Sequence, residues 1–467
     1  MKLAVIGGGL TGLAAAWEGV RQGAQVTVFE SERFGGKIRT IIEDGYVIEE
    51  GPDSFVAYRP WLLELVEDLG ISDQVIETLG TRKVMIHSRG RMNPIPKGMT
   101  GVLPTKVLPF ATTGILSIFD KLRAGLDLFL PRILPDEDVS IGSFIRRRLG
   151  AGVAMKFANP FIGGIYGSSV DELSLDAVLP SLRKNEKEHR SLMLAALASG
   201  RQKRRAKKGA KPKSGSVFRS LEGGLEQVIH ELVRQLRDRG AELYEDTTVT
   251  SANLSDFGSR LTVIKRSGIP MQLDFDAVVF AGGAGSTSKL LSGEFPEAAK
   301  LLGNIPLAST SVVTMAYSQD AFAKPLDNHG WLEADAGAPS SGITISSAKF
   351  AGRCPDGKIL VRAFVPDRVG EIAHAPTEKL VAAVREYFEK AVGAVAAPER
   401  VWTSRWNSVM PKYVTGHLDV VAKVTEQLEP TPWRVPGSAL NGVGLPDCVK
   451  DAREKTREIL SNTKEQI

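Results

Sequence analysis

Residues 1–40 read MKLAVIGGGLTGLAAAWEGVRQGAQVTVFESERFGGKIRT. Lys2 to Ile6 is a short apolar run of the kind buried in parallel sheets. It leads straight into Gly7, Gly9 and Gly12, a G-x-G-x-x-G. Leu13 to Val20 is Ala-rich with no breaker before Gly23, which predicts a helix. Gln25 to Phe29 predicts a second strand with Glu30 at its end. A lone G-x-G-x-x-G also fits a glycine-rich structural turn. Strand, glycines, helix, strand and acid in this order are instead the start of a βαβ unit that holds a dinucleotide. The glycines let backbone approach a pyrophosphate, the helix N-terminus supplies N–H donors, and the carboxylate takes ribose hydroxyls. The expected contacts are Gly7, Gly8, Gly9, Leu10, Thr11, Gly12, Glu30 and Ser31.

A second glycine pair follows the acid, in Arg33-Phe34-Gly35-Gly36-Lys37. A nicotinamide site has no need of it, whereas many FAD enzymes have it. Gly35, Gly36 and Lys37 therefore join the expected contacts, and the cofactor is read as FAD. Glu30 argues against a 2′-phosphate, because like charges repel there.

The rest of the chain sets limits on this reading. Its 467 residues suffice for two or three domains with a large core. Hydrophobic residues make up 43% and charged residues 24%, as in ordinary globular proteins. The net charge of +5 depends on one stretch, because Arg201 to Lys213 contains eight Lys or Arg and no acid. A nucleic-acid-binding surface is therefore not expected. Two distant cysteines, Cys354 and Cys448, fit a reducing compartment without a disulfide framework. No signal or transit peptide is expected ahead of the first strand. The apolar run Val107 to Phe119 is too short to span a bilayer. The expected location is cytoplasmic, with a peripheral contact on the inner face of the membrane as the further option.

The fold class expected is α/β combined with α+β. A discontinuous Rossmann-like FAD-binding domain takes residues 1–60, 218–290 and 400–467. An antiparallel-sheet substrate domain takes 61–96 and 291–399, where β-rich runs such as Thr310 to Tyr317 and Lys358 to Val365 alternate with Gly and Pro. A helical subdomain, which can face a membrane, is inserted at 97–217. Its end, residues 199–215, is basic and of low complexity. It reads as a solvated loop or as a segment drawn to anionic lipid headgroups. Leu243 to Asn253 reads as one strand, and Asp276 to Gly283 as a buried strand ending in small residues.

Two further stretches bear on the cofactor. Gly51-Pro52-Asp53-Ser54 reads as a tight turn whose polar side chains can cap the next segment. Gly442-Val443-Gly444-Leu445 precedes a helix opened by Pro446 and Asp447, both start signals. A helix N-terminus there would stabilise negative charge on a reduced flavin ring. Val249, Ala281 and Trp406 complete the expected cofactor contacts. The six His residues form no metal-spaced pair, so no metal site is assigned.

As a set, the motifs VIGGGLTGLAAA, GGKIRT, GYVIEEGPDSF, GGIYG (163–167), EKEHRSL (186–192), MPKY and NGVGLPDC resemble the oxygen-dependent porphyrinogen oxidases. PIPKGMTGVLPTK is similar to the branch found in Gram-positive bacteria. The resemblance implies six-electron oxidation of coproporphyrinogen III, with protoporphyrinogen IX as a second substrate, O2 as acceptor and H2O2 as product, in haem synthesis. A neighbouring ferrochelatase-type enzyme is an expected partner. Protoporphyrinogen-type relatives carry an Arg twelve residues before the position of Pro96; this chain has Val84. Pro436 is unexpected if it falls in a central strand. The chemistry is assigned to the flavin, and no side chain is named as an obligatory base. Arg59, Lys83 and Tyr166 are the expected substrate contacts, the first two for propionates and the third for the macrocycle. The alternatives are a strict protoporphyrinogen oxidase, a flavin amine oxidase or desaturase, and a non-catalytic flavin protein that hands porphyrin onward.

Overall fold

The computed structural model describes residues 1–80, 84–100, 102–104, 106–206, 216–256, 258–266 and 268–466. The chain divides into two compact units. The first comprises Met1–Glu77, Val217–Ile305 and Leu418–Ile467; the second comprises Thr78–Ser216 and Pro306–His417.

The first unit is built on a five-stranded parallel sheet. In spatial order its strands are Glu242–Tyr244, Gln25–Phe29, Lys2–Ile6, Ala277–Phe280 and Trp433–Arg434. Leu3, Ala4 and Val5 are fully buried, as the continuous apolar run requires of a strand covered on both faces. On one face lie the helices Leu10–Arg21, Glu226–Asp238 and Leu445–Gln466, which share one core with the sheet. On the other lie a three-stranded antiparallel sheet and the helices Ala284–Leu291 and Pro296–Gly303. The expected single strand from Leu243 to Asn253 is two strands. Glu242–Tyr244 ends in the parallel sheet, Asp246 turns the chain at φ 48, and Thr247–Ser255 enters the antiparallel one. Pro436 also finds its reason. Trp433–Arg434 is an edge strand that stops before it, so the missing N–H breaks no ladder bond.

The second unit centres on a seven-stranded sheet. Its order is Arg400–Pro411, Leu307–Ser318, Lys358–Pro366, Gly342–Ile345, Gly330–Glu333, Val84–Ser88 and Arg91–Pro94. All neighbours are antiparallel except Gly330–Glu333 with Val84–Ser88. Alternation along Lys358–Pro366 puts Val361, Ala363 and Val365 into a core with the helix Thr377–Val392. Arg362 and Phe364 therefore lie on the opposite face. The hairpin turn at Arg89 and Gly90 has φ 58 and 66, the left-handed pair that a two-residue hairpin requires.

The structure draws some boundaries differently from the sequence reading. Trp61–Asp68 packs into the core of the first unit, not the substrate sheet. Arg400–Pro411 pairs along most of Leu307–Ser318 and belongs to the second unit. The helical stretch is not a separate body either: its core includes Ile86 of the sheet. Part of the basic segment read as a loop is helical, because Leu192–Ala206 runs through its first half. Residues 207–215 lie outside the described set.

Candidate functional site

The glycine loop of the first unit is shaped by what its backbone must approach. Gly7 has φ 105, a conformation that favours glycine. A Cβ on Gly12 would lie 1.8 Å from the Gly7 carbonyl oxygen, so no other residue fits there. The helix Leu10–Arg21 begins at Gly9 without a side-chain cap and without an acid in its first turn. Its first N–H donors are thus left for a ligand rather than for the chain's own side chains. Over Gly9 the nearest foreign atom is the Gly36 Cα, 3.9 Å from where a Cβ would stand.

The second glycine pair closes onto the first. Gly35 N–H donates to the Gly8 carbonyl at 2.9 Å, and Gly9 and Gly35 form a parallel bridge. Glu30 stands at the end of Gln25–Phe29 and accepts the N–H groups of Gly8 at 2.7 Å and Glu32 at 2.9 Å, with the Ser31 hydroxyl at 3.3 Å. Beyond it opens a pocket of about 560 Å³ lined by Ser31, Arg33, Arg39, Asp246, Thr248 and Arg266.

The C-terminal stretch reaches the same place. A Cβ on Gly437, which has φ 94, would stand 2.7 Å from the Thr11 side chain. Gly437 N–H donates to Asp451 at 2.6 Å, and Asn441 also donates to that carboxylate, which burial pushes upward. Burial pushes the Cys448 thiol up to about 11, while Thr11 and Lys37 draw it the other way. Lys37 is itself pulled below the usual ammonium range by desolvation. Cys448 thus lies beside Thr11 and within electrostatic reach of Lys37, which brings the closing motif to the N-terminal motif and the second glycine pair. Gly442 has φ 72, and Gly444 lies close under Asp447. Glycine-backed donors, a carboxylate at the ribose position and an apolar, lysine-bearing wall fit FAD.

The remaining expected cofactor residues take varied places. Ala281 follows Ala277–Phe280; its N–H bonds the Ile6 carbonyl, and its backbone would touch a Cβ on Gly7 at 3.0 Å. In the turn Gly51 to Ser54, the Ser54 hydroxyl donates to Asp53 at 2.7 Å, and Ser220 bonds the Asp53 carbonyl at 2.9 Å. Val249 is buried among the apolar residues behind the parallel sheet. Trp406 belongs to the sheet of the second unit, opposite Thr310.

Of the substrate candidates, Arg59 is paired with Asp447 at the start of the last helix. Lys83 lies outside the described residues. Tyr166, in the second unit, meets Tyr413 edge to face with ring centroids 5.8 Å apart, and Tyr413 stacks on His417 at 4.0 Å.

Sequence spacing did not reveal two clusters. Glu18 lies inside the first unit and binds Arg453 at 3.0 Å and Arg457 at 2.7 Å. Burial alone would raise its carboxyl, but these donors and Gln22 hold it down at about 2. In the second unit His87, Glu333 and Asp335 place one potential ligand atom each within 4.8 Å of one another. Glu333 also accepts from Tyr387, and burial holds its carboxyl above the ordinary range. Each cluster joins residues hundreds of positions apart, so only the fold brings them together.

A family model described as flavin containing amine oxidoreductase matches residues 10–460. A coproporphyrinogen III oxidase of Propionibacterium freudenreichii subsp. freudenreichii is 49% identical over 98% of this chain and 90% of that protein. The coproporphyrinogen III oxidase of Bacillus subtilis (strain 168) is 31% identical over 98% and 97%. A crystal structure from Exiguobacterium sp. 255-15, assigned to the protoporphyrinogen oxidases, superposes with a TM-score of 0.83 at 30% identity and covers 99% of both chains.

Proposed function

The chain belongs to the flavin containing amine oxidoreductase family, and from that premise we propose that it oxidises coproporphyrinogen III to coproporphyrin III, with protoporphyrinogen IX as a second substrate. The observation that carries this reading is the 49% identity to a coproporphyrinogen III oxidase along nearly the whole chain. Six electrons and six protons leave the macrocycle, and three O2 become three H2O2. FAD supplies the two-electron acceptor chemistry when bound.

The chain's own residues hold and orient. The uncapped start of Leu10–Arg21 and the Gly7 to Gly12 backbone take the pyrophosphate. Glu30 takes the ribose. Lys37, held in an apolar setting, adds positive charge beside the glycine pair. Tyr166 is assigned to the macrocycle, and Arg59 to a propionate in competition with Asp447. The product is a metal-free porphyrin, so an iron-inserting enzyme is the natural consumer.

Aerobic turnover of the purified flavoprotein on the two porphyrinogens, read by porphyrin fluorescence, tests the proposal. Faster oxidation of coproporphyrinogen supports it. Flavin bound with neither substrate oxidised overturns it.

A membrane contact belongs to the same proposal but is assigned to a different surface. No described helix is long and apolar enough to cross a membrane. Ile118, Phe119, Leu122 and Leu126 on consecutive turns, Phe129 just after them and Leu108 on the preceding short helix Val107–Ala111 are each half or more exposed. Such a stripe beside basic residues suits the surface of an anionic bilayer. Co-sedimentation with anionic vesicles that persists in Phe119→Glu/Phe129→Glu would remove that assignment.

A further inference from the structure

Arg368 follows the strand Lys358–Pro366 in a short turn, Asp367–Val369. Its Nε and Nη2 are buried and have no hydrogen-bond partner, and no described residue forms an ion pair with it. These two nitrogens are the parallel edge of the guanidinium, the fork that matches a carboxylate. Nη1 is the one nitrogen outside that buried set. The adjacent acid is committed elsewhere: Asp367 accepts the Ser309 N–H at 2.6 Å. Burial pushes the guanidinium below its ordinary value, yet a guanidinium stays charged at any physiological pH.

The surroundings tie this fork to the stretch that marks the chain most specifically. Arg368 Nε lies 3.7 Å from the point where a Cβ on Gly163 would stand. Gly167 packs on Ala308 and Pro366, at 3.4 and 3.8 Å by the same measure. The segment Gly163 to Gly167, with Tyr166 inside it, is thus laid against the strand end that presents Arg368. A buried pair of charged donors with no acceptor is unfavourable in a free protein unless an acceptor arrives with a ligand.

We propose that Arg368 binds one carboxylate of the substrate, its Nε–H and Nη2–H donating in parallel to a single propionate beside Gly163. This rests on the porphyrinogen reading above and adds a residue to it. Neither the neutral macrocycle nor an ester of the substrate offers that acceptor.

The test compares wild-type holoenzyme with Arg368→Gln and Arg368→Lys, on coproporphyrinogen III and on its tetramethyl ester. The expected result is a KM for the acid raised at least about tenfold in Arg368→Gln, the loss of roughly one charge-assisted pair. kcat should change less than about threefold. The lysine variant should recover part of the loss, because it keeps the charge and not the fork. On the ester, all three proteins should agree within about twofold. The melting temperature of Arg368→Gln should be equal to or above that of wild type, because an unpaired buried charge has been removed. An unchanged KM for the acid in Arg368→Gln, with wild type active, overturns the assignment and leaves the proposed function standing. A lowered melting temperature with equal losses on acid and ester also overturns it, because that marks a structural role. A flavin-loaded wild type that oxidises neither porphyrinogen overturns the proposed function and this inference together.

Discussion

The two units solve the same problem, holding together segments far apart in sequence, by different means. The first unit is assembled from three separate stretches and uses charge. Glu18, on the first helix, is clamped by Arg453 and Arg457 on the last, and Glu226 binds Arg33 at 2.7 Å and the Thr40 N–H at 2.7 Å. The second unit has a fully buried ion pair of its own, Arg148 with Asp127 at 2.6 Å, and adds a cluster of rings. Trp331 stacks on Phe388 at 5.9 Å and an interplanar angle of 5°, with Phe322 edge-on and Tyr317 tilted against Phe388. The contrast teaches where each unit has polar groups to spare. In the first, the buried charges of the helix layer satisfy one another. In the second, Arg148 and Asp127 satisfy one another in the same way, whereas Nε and Nη2 of Arg368 have no partner among the described residues.

The largest effect is expected at the cradle of the first unit. Gly12→Ala drives a methyl into the Gly7 carbonyl, and the loop must move. Flavin content, read from the 450 nm to 280 nm absorbance ratio, should fall at least about tenfold, the overpacking cost of roughly 1–3 kcal/mol acting on the bound loop. A normal ratio would mean that the cradle is not where FAD sits.

Phe388→Ala comes next, at about 3–5 kcal/mol. It should lower the unfolding transition of the second unit in calorimetry and leave that loss independent of pH.

Glu18→Gln should cost about 3 kcal/mol in the first unit, by leaving two arginines without their carboxylate. Here pH discriminates. The folded carboxyl is held at about 2, below its ordinary 4.5. Its contribution is therefore complete above about 4.5 and is lost as pH falls toward 2. Wild type should lose stability across that window more steeply than Glu18→Gln does. If both substitutions lower one common transition, or if Phe388→Ala shows the acid dependence, the contrast between the units breaks.

The smallest effect is expected at Val84, the first residue of its strand, opposite Gly330. Val84→Arg should shift the ratio of protoporphyrinogen to coproporphyrinogen oxidation a few-fold toward protoporphyrinogen, the scale of one partly solvated charge pair. No shift would detach Val84 from substrate choice.

Much of the first unit was legible before any coordinates. Gly7, Gly9, Gly12 and Glu30 act through backbone geometry over a few residues, and the parallel strands are short apolar runs bounded by glycine or acid. The boundaries were harder to place. The second unit's longest pairing joins Leu307–Ser318 to Arg400–Pro411, and nothing local distinguishes the latter from a strand of the nucleotide sheet. Strand partners are chosen by register and burial over long separations, which a one-dimensional pattern does not record. Arg59 looked like an available cation because its partner, Asp447, is almost the whole chain away.

The sequence by itself determined the glycine-rich βαβ start, the flavin reading and the resemblance to porphyrinogen oxidases, because each rests on residue types at short, fixed spacing. Only the tertiary structure decided which charges are paired. It paired Arg59 with Asp447, closed Arg453 and Arg457 on Glu18, and left the buried fork of Arg368 unpaired beside Gly163. The physical reason is that a charge's availability depends on what lies within a few ångströms of it, and in a folded chain those neighbours come from anywhere in the sequence.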